Sequence, residues 1–123
     1  QRVNDYVYAP TLLVDPPHTC RVSTDEVFGP VVNVYGYDDE GEAVAQANAL
    51  SVSFQAAVFT RDTSRAMRLS RELDAAAVMI NDHTAFRVDW MPFAGHRTSG
   101  LGIGGIPYTM ADMAPEKLVV IKE

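Results

Sequence analysis

The distribution of apolar residues along the chain predicts strands that alternate with helices. Four short runs are continuously apolar or β-rich, which is typical of buried strands, and helical spacing of apolar residues separates the later ones. The runs are residues 8–14, 31–37, 55–60 and 77–80. Such an alternation indicates a parallel sheet covered on both faces by helices. We therefore predict an α/β fold, a parallel sheet with flanking helices.

Two aspartates mark the starts of the predicted helices. Asp39 is followed three residues later by Glu42, a common helix-start signal. Asp62 precedes a segment in which Ala66 and Leu69 recur at helical spacing. We expect each aspartate side chain to accept a backbone N–H of the first turn.

The last third of the chain has a different character. Residues 81–107 are rich in glycine and contain Trp90 and Phe93, so we interpret them as a long functional loop. Residues 108–113 predict a short helix, and the apolar residues 118–121 predict a final strand. Because that strand has no hairpin partner nearby, we expect it to pair elsewhere, for example with another chain.

Composition and charge exclude several classes of function. The 123 residues suit one compact unit, and the net charge of −6 without any Lys/Arg run argues against nucleic acid or an anionic membrane as partner. No stretch approaches the roughly 20 apolar residues of a membrane span. The single cysteine excludes an internal disulfide and favours a reducing, cytoplasmic setting. The polar opening at Gln1, without a methionine, suggests a cut end.

Three motifs suggest chemistry that their context does not support. Gly100-x-Gly102-x-x-Gly105 matches a dinucleotide fingerprint but follows no strand, so we expect these glycines to supply positive φ angles and close packing. Cys20 lies two residues after His18, yet such neighbours point apart, and we interpret Cys20 as a half-buried thiol. Two further combinations, a catalytic triad and a metal site, can be drawn from nearby polar residues, but their spacing fits no familiar motif. They draw on Asp82, His83, Asp89, His96 and Ser99.

The segment Glu26-Val27-Phe28-Gly29-Pro30 is the most informative. A carboxylate can accept two hydrogen bonds at once, which suits the vicinal hydroxyls of a ribose, and an aromatic ring can lie against a flat heterocycle. Taken alone, the pentapeptide is better explained by a surface Glu26 and a core Phe28.

Six segments in a fixed order give the chain its resemblance. The Glu-x-Phe-Gly-Pro signature at residues 26–30 resembles that of the aldehyde dehydrogenase superfamily. Further segments resemble other landmarks of the family, including the strand that precedes the signature, the Pro-Phe-Gly-Gly-x-Lys-x-Ser-Gly-x-Gly loop and a terminal assembly strand. They are residues 10–13, 55–62, 78–81, 92–102 and 116–121. The chain departs from the usual residues at Ser53, Ala94, Arg97 (usually Lys) and Gly104.

This resemblance implies roles for individual residues. Glu26 would hold the nicotinamide ribose of NAD or NADP, and Phe28 would pack near the nicotinamide. Phe93 would line the substrate tunnel, and residues 81–91 would form the substrate-side loop. Within that loop, Arg87 and His83 suit a small aldehyde with an anionic tail. Alternatively, Arg87 pairs with Asp89 or faces solvent.

The resemblance also implies what the chain lacks. The family's cysteine nucleophile, general-base glutamate and most of the cofactor domain precede the Glu-x-Phe-Gly-Pro segment. Residues 1–107 would then be the C-terminal part of a catalytic domain, and residues 108–123 a short helix and oligomerisation strand. The complete enzyme would oxidise an aldehyde to a carboxylic acid or acyl product through a cysteine thioester, whereas this chain alone would be inactive.

Partners and alternatives follow from the same resemblance. The expected partners are a small aldehyde, the remainder of the polypeptide, and a second copy. The second copy would be bound through Leu118, Val119, Val120 and Ile121. Two other interpretations stay open: a non-catalytic assembly or regulatory module derived from the same fold, and a small independent enzyme that uses Cys20.

Overall fold

The computed structural model describes residues 2–123, so Gln1, the expected cut end, lies outside the described residues. The α/β class is confirmed. The elements in chain order are β1 (Thr11–Val14), α1 (Arg21–Thr24), β2 (Val31–Val34), α2 (Glu40–Asn48), β3 (Val52–Ser53), β4 (Gln55–Val58), α3 (Thr63–Glu72), β5 (Ala77–Ile80), β6 (Phe93–Ala94), β7 (His96–Arg97), β8 (Ile103–Gly104) and α4 (Ile106–Met113). They form two compact units, of which the first ends at Ala43 and the second is Val44–Glu123.

The first unit is built on a parallel pair of strands. β1 and β2 pair in register from Thr11 with Val31 to Val14 with Val34. Burial alternates along both strands, and Leu12 is 63% exposed on the open face. The prediction of strands covered on both faces is therefore wrong for this pair, since nothing in residues 2–43 packs over that face.

The second unit contains a strand–helix–strand crossover. β4 and β5 are parallel, and α3 connects them and buries Ala66 and Leu69. Asp62 Oδ1 accepts the Arg65 N–H at 3.1 Å, which confirms the predicted helix start. The parallel strands nevertheless form separate two-stranded sheets rather than the one continuous sheet that the sequence predicts.

The predicted cap of α2 is also confirmed. Asp39 Oδ1 accepts the Glu42 N–H at 2.8 Å, and α2 begins at the next residue, Glu40. Capping by a short acidic side chain satisfies a backbone donor that has no partner within the helix. The local sequence pattern was sufficient to place this helix start.

Residues 81–107 are more ordered than the predicted loop. Two antiparallel pairs, β3 with β7 and β6 with β8, lie partly or wholly within this segment. α4 begins at Ile106, two residues earlier than predicted, because Pro107 is favoured in the first turn of a helix. Residues 118–121 form no helix or strand in this single chain and are 69–86% exposed. No helix in residues 2–123 has the length and apolar character needed to cross a membrane.

Candidate functional site

Glu26 and Phe28 lie on an exposed segment of the first unit, between α1 and β2. The Phe28 side chain is 95% exposed, which excludes the core-residue interpretation in this chain. The backbone turns tightly here, with the Gly29 N–H bonded to the Val27 carbonyl at 2.9 Å. Within residues 2–123 the Glu26 carboxylate has no ion pair or side-chain hydrogen bond. Both groups are therefore accessible to a ligand.

The carboxylate next to Glu26 is already engaged. Asp25 Oδ2 accepts a hydrogen bond from Arg21 Nε at 2.9 Å, and Asp25 Oδ1 accepts one from Thr24 Oγ1 at 3.0 Å. The bond from Arg21, followed by that from Thr24, lowers the pKa of Asp25. Asp25 is thus an ionised carboxylate with local partners, and Glu26 is the neighbouring acceptor that remains open.

Cys20 is exposed at the start of α1, so its prediction as a half-buried thiol is wrong. Its N–H closes a turn by donating to the Pro17 carbonyl at 3.0 Å, and it precedes a helix of a single turn that contains no buried residue. The His18 ring lies against Tyr35, with ring centroids 4.8 Å apart. This ring contact gives His18 a role in local packing.

The second unit brings together two of the predicted substrate residues. Arg87 Cζ lies 4.3 Å from the centroid of the Phe93 ring, a cation–π geometry. Phe93 also meets Phe54 edge-to-face, with centroids 5.1 Å apart. No carboxylate in residues 2–123 lies within ion-pair distance of Arg87, so the predicted pairing with Asp89 is not formed.

A shallow groove runs beside Arg87 along α4. Its volume is about 390 Å³, and Arg87 and Asp89 contribute its charged groups. Ile106, Met110 and Met113 supply apolar surface. A small molecule with one anionic end and one apolar end matches this combination, provided that the anion lies on the Arg87 side.

His83 and Ser99 are engaged separately. The His83 side chain is exposed, and its Nε2 lies 3.8 Å from Asp82 Oδ1. Ser99 Oγ accepts the Ser53 N–H at 2.9 Å, so it serves the backbone of β3. This hydrogen bond gives Ser99 a structural role, and its partner, Ser53, is not a member of the Asp82, His83 and Ser99 combination.

Sequence reasoning missed a cluster of polar residues centred on Asp74. Arg97 donates hydrogen bonds to the carbonyls of Asn48 and Leu50 and to the Asp74 carboxylate. His96 Nδ1 lies 3.3 Å from Asp74 Oδ1. The His96 bond, followed by that of Arg97, lowers the pKa of Asp74. The only sequence signal was the departure from lysine at position 97, since the spacing of Asp74 matches no motif.

Two glycines of the rejected fingerprint have the predicted role. Gly102 has φ +73° and Gly105 has φ +113°, values that side chains rarely adopt. A Cβ on Gly105 would lie 2.6 Å from the Met91 carbonyl oxygen, so close packing also requires glycine there. The expected positive φ is therefore confirmed at both glycines and the expected close packing at Gly105, whereas Gly102 has open space around an added Cβ and Gly100 has no positive φ.

Comparison with known proteins gives a consistent family assignment. The model of the aldehyde dehydrogenase family matches residues 1–119. A 3-sulfolactaldehyde dehydrogenase of Priestia aryabhattai is 36% identical over 114 residues, 93% of this chain and 24% of that protein. A lactaldehyde dehydrogenase of Methanococcus maripaludis strain C5 is 43% identical over 100 residues, 81% of this chain and 22% of that protein. The chain therefore spans about a quarter of the length of these relatives.

Solved structures of aldehyde dehydrogenases also resemble this chain. The NADP-dependent glyceraldehyde-3-phosphate dehydrogenase of Bacillus halodurans C-125, complexed with NADP, superposes with a TM-score of 0.83 and 38% identity over 88% of this chain and 23% of its own. The NAD+ complex of an aldehyde dehydrogenase from Bacillus cereus superposes with a TM-score of 0.84 and 29% identity over 89% of this chain and 23% of its own.

Proposed function

This chain belongs to the aldehyde dehydrogenase family, and we propose that it is the C-terminal portion of an enzyme that oxidises an aldehyde to a carboxylic acid or acyl product with NAD or NADP. Residues 1–107 complete the catalytic domain, and residues 108–123 supply a short helix and an oligomerisation strand. The observation that carries the proposal is the family match over residues 1–119, together with a chain length near a quarter of that of its relatives.

Exposed apolar surface supports a larger polypeptide. Phe28 is 95% exposed, Leu101 fully exposed, and Leu118 86% exposed. Within residues 2–123 the buried apolar residues are only Ala66 and Leu69, so the chain exposes more of its apolar side chains than a self-contained fold does. In the proposed enzyme the rest of the polypeptide covers the first two, and a second copy pairs with residues 118–121.

Glu26 and Phe28 fit a nicotinamide dinucleotide. The Glu26 carboxylate is open to accept hydrogen bonds from two ribose hydroxyls, and the exposed Phe28 ring offers a flat face for the nicotinamide. Such a dinucleotide would supply the hydride acceptor for oxidation of the aldehyde-derived carbon. The function of Glu26 and Phe28 is to hold and orient it, which reduces the entropic part of the barrier.

Arg87 and Phe93 support an aldehyde with an anionic tail as substrate. The guanidinium lies over the Phe93 ring without a carboxylate partner in residues 2–123, so its N–H donors are available to a sulfonate, phosphate or carboxylate. The names of two relatives contain such groups, 3-sulfolactaldehyde and glyceraldehyde-3-phosphate. His83 on the same loop supplies a further hydrogen-bonding group.

The nucleophile lies outside this chain in the proposed mechanism. A cysteine thiolate adds to the aldehyde carbonyl to give a thiohemiacetal, loss of its hydride to the bound dinucleotide would leave a thioester, and water then releases the acid and the free thiol. Cys20, only six residues before Glu26, is exposed at the start of a one-turn helix and has no role in this scheme. The chain contributes orientation of the cofactor and of the aldehyde.

The test is aldehyde-dependent formation of NAD(P)H by the complete polypeptide that contains this chain. We expect turnover with a small anionic aldehyde, with one equivalent of acid or acyl product per NAD(P)H, and none from the 123-residue chain alone. Absence of turnover with every aldehyde and both cofactors would favour the non-catalytic assembly module. Turnover by the isolated chain would point to Cys20.

A further inference from the structure

The polar cluster of the second unit connects three parts of the chain at one carboxylate. Arg97 donates through its Nη1 to the carbonyls of Asn48 and Leu50, which lie at the C-terminal end of α2. Its Nη2 donates to Asp74, which lies just beyond the end of α3. The guanidinium therefore ties β7 to the ends of two helices, where exposed carbonyls and the helix dipoles favour a cation.

Other bonds of the cluster leave this connection little freedom. Asn48 Nδ2 donates to the Glu72 carbonyl at 2.8 Å, and Asn48 Oδ1 accepts the Asp74 N–H at 2.9 Å. The Ser53 hydroxyl, on a residue only 8% exposed, donates to the Asp74 carbonyl. Asp74 is thus held through its N–H, its carbonyl and its carboxylate, so Arg97 is anchored to a fixed point.

The backbone around Arg97 depends on this anchor. Arg97 has φ +56°, a left-handed conformation that is unfavourable for a residue with a side chain and persists where surrounding contacts impose it. At Gly95, just before β7, an added Cβ would lie 2.7 Å from the Ser99 backbone. The chain therefore folds back sharply between β6 and the residues that follow β7.

This fold-back places Phe93. β7 pairs with β3, and Phe54 directly follows β3. Phe93, three residues before the start of β7, meets Phe54 edge-to-face and carries Arg87 over its ring. A change in the position of β7 relative to β3 therefore moves Phe93 relative to Phe54, and Arg87 with it.

We propose that Arg97, anchored to Asp74 and to the end of α2, is a positioning residue that sets the geometry of the Phe93–Arg87 pair and thereby the affinity for the aldehyde. It touches neither substrate nor cofactor in this scheme. The proposal rests on the proposed function, in which Phe93 and Arg87 contact the aldehyde.

The test compares three variants of the complete polypeptide. Arg97→Met keeps an unbranched apolar stem but removes the guanidinium and its donors. Arg97→Lys keeps three N–H donors for the three acceptors, and lysine is the usual residue in the family resemblance. Asp74→Asn removes the charge of the carboxylate from the other side of the same contact. The test therefore does not depend on the folding of one variant.

Two readouts separate positioning from general stability. In Arg97→Met and Asp74→Asn we expect faster hydrogen exchange at the amides of Ser53 and Thr98, which bond to Ser99 Oγ and to the Ser51 carbonyl. We also expect KM for the aldehyde to rise about fivefold or more, while KM for the dinucleotide stays unchanged. Arg97→Lys should restore both quantities to near wild-type values.

Unchanged exchange in Arg97→Met and Asp74→Asn would overturn the anchoring, whatever the activity of the enzyme. Faster exchange with an unchanged KM for the aldehyde would show that the cluster serves stability alone and would overturn the positioning role. If the wild-type polypeptide oxidised no aldehyde, the proposed function would fail, and the exchange rates would still decide whether Arg97 holds this segment.

Discussion

The carboxamide of Asn81 forms two hydrogen bonds with the backbone of Thr60. Asn81 Oδ1 accepts the Thr60 N–H at 2.8 Å, and Asn81 Nδ2 donates to the Thr60 carbonyl at 2.9 Å. Asn81 itself has φ +58°, a conformation that asparagine tolerates better than most residues. The ends of β4 and β5 are thereby joined where the loop that carries Arg87 begins.

Replacement of Asn81 should therefore loosen that loop. Asn81→Ala loses two hydrogen bonds and places a Cβ at positive φ, so we expect the complete enzyme to lose about 2–3 kcal/mol of unfolding free energy and to show lower kcat/KM for the aldehyde. Asn81→Gly removes the carboxamide but accepts the backbone conformation, and its loss should be smaller. Denaturant unfolding of both variants checks this, and equal losses would exclude a contribution from the backbone conformation.

Asp74 should contribute to stability in a pH-dependent manner. Its pKa is lowered in the folded chain by the hydrogen bonds from His96 and Arg97. A depressed folded-state pKa stabilises the fold above the pKa of the unfolded state, and this contribution is lost as pH falls through the folded-state pKa. Asp74→Asn should thus be less stable than wild type near neutral pH, and the difference should shrink on acidification below the ordinary aspartate range.

Urea midpoints of the complete protein from neutral to acidic pH measure this dependence. Glu116→Gln, a change at an exposed carboxylate outside the cluster, serves as the matched control and should leave the profile unchanged. A constant gap between Asp74→Asn and wild type over the whole range would contradict the assigned ion pairing.

Glu26→Gln should impair cofactor positioning more than folding. The substitution keeps the size of the side chain but removes the charge of an acceptor, a bond type worth about 1.5–3 kcal/mol. Because Glu26 is exposed and has no side-chain partner in residues 2–123, the melting temperature without cofactor should not change. We expect lower turnover and a higher KM for the dinucleotide, measured by steady-state kinetics. Wild-type kinetics in Glu26→Gln would show that Glu26 is an ordinary surface residue with no part in cofactor binding.

The isolated chain should self-associate. Residues 118–121 are apolar and 69–86% exposed, and unpaired extended segments recruit other chains. Light scattering should give a mass that increases with concentration, and Val119→Lys should reduce the increase by placing a charge in the segment. A compact monomer at high concentration in both forms would contradict the proposed oligomerisation strand.

Local patterns were sufficient for the regular elements of the fold. Asp39 and Asp62 cap the helices that they predict, and β5 has the predicted bounds, because capping and apolar periodicity act over a few residues. The pairs β3–β7 and β6–β8 were missed, since strands of two residues carry no period. Their register is set by the fold-back at Gly95 and by bonds across long sequence separations, such as that of Arg97 to Asn48.

In the candidate site, too, features that depend on contacts between distant parts of the chain could not be predicted from local patterns. Phe28 is exposed and Arg87 contacts Phe93, whereas the sequence alone left a core Phe28 and an Arg87–Asp89 pair open, and the ligand-binding roles of these residues stay predictions. Asp74 was not predicted, because its role depends on the three-dimensional meeting of two helix ends with β7. Cys20 was placed half-buried from average behaviour of cysteine, whereas its own surroundings provide little to cover it.

Specificity for an anionic aldehyde in the complete enzyme tests the account most directly. The measurement is kcat/KM of wild type, Arg87→Ala and the control Arg71→Ala for an anionic aldehyde and for a neutral aldehyde of similar size. Arg71, an exposed arginine of α3, matches the loss of one surface charge.

The account predicts that Arg87→Ala lowers kcat/KM for the anionic aldehyde about 30- to 150-fold, which corresponds to roughly 2–3 kcal/mol of transition-state binding. It also predicts that the neutral aldehyde is spared and that Arg71→Ala resembles wild type. Equal losses for both aldehydes in Arg87→Ala, or no loss for either, would contradict a substrate-binding role for the Arg87–Phe93 pair.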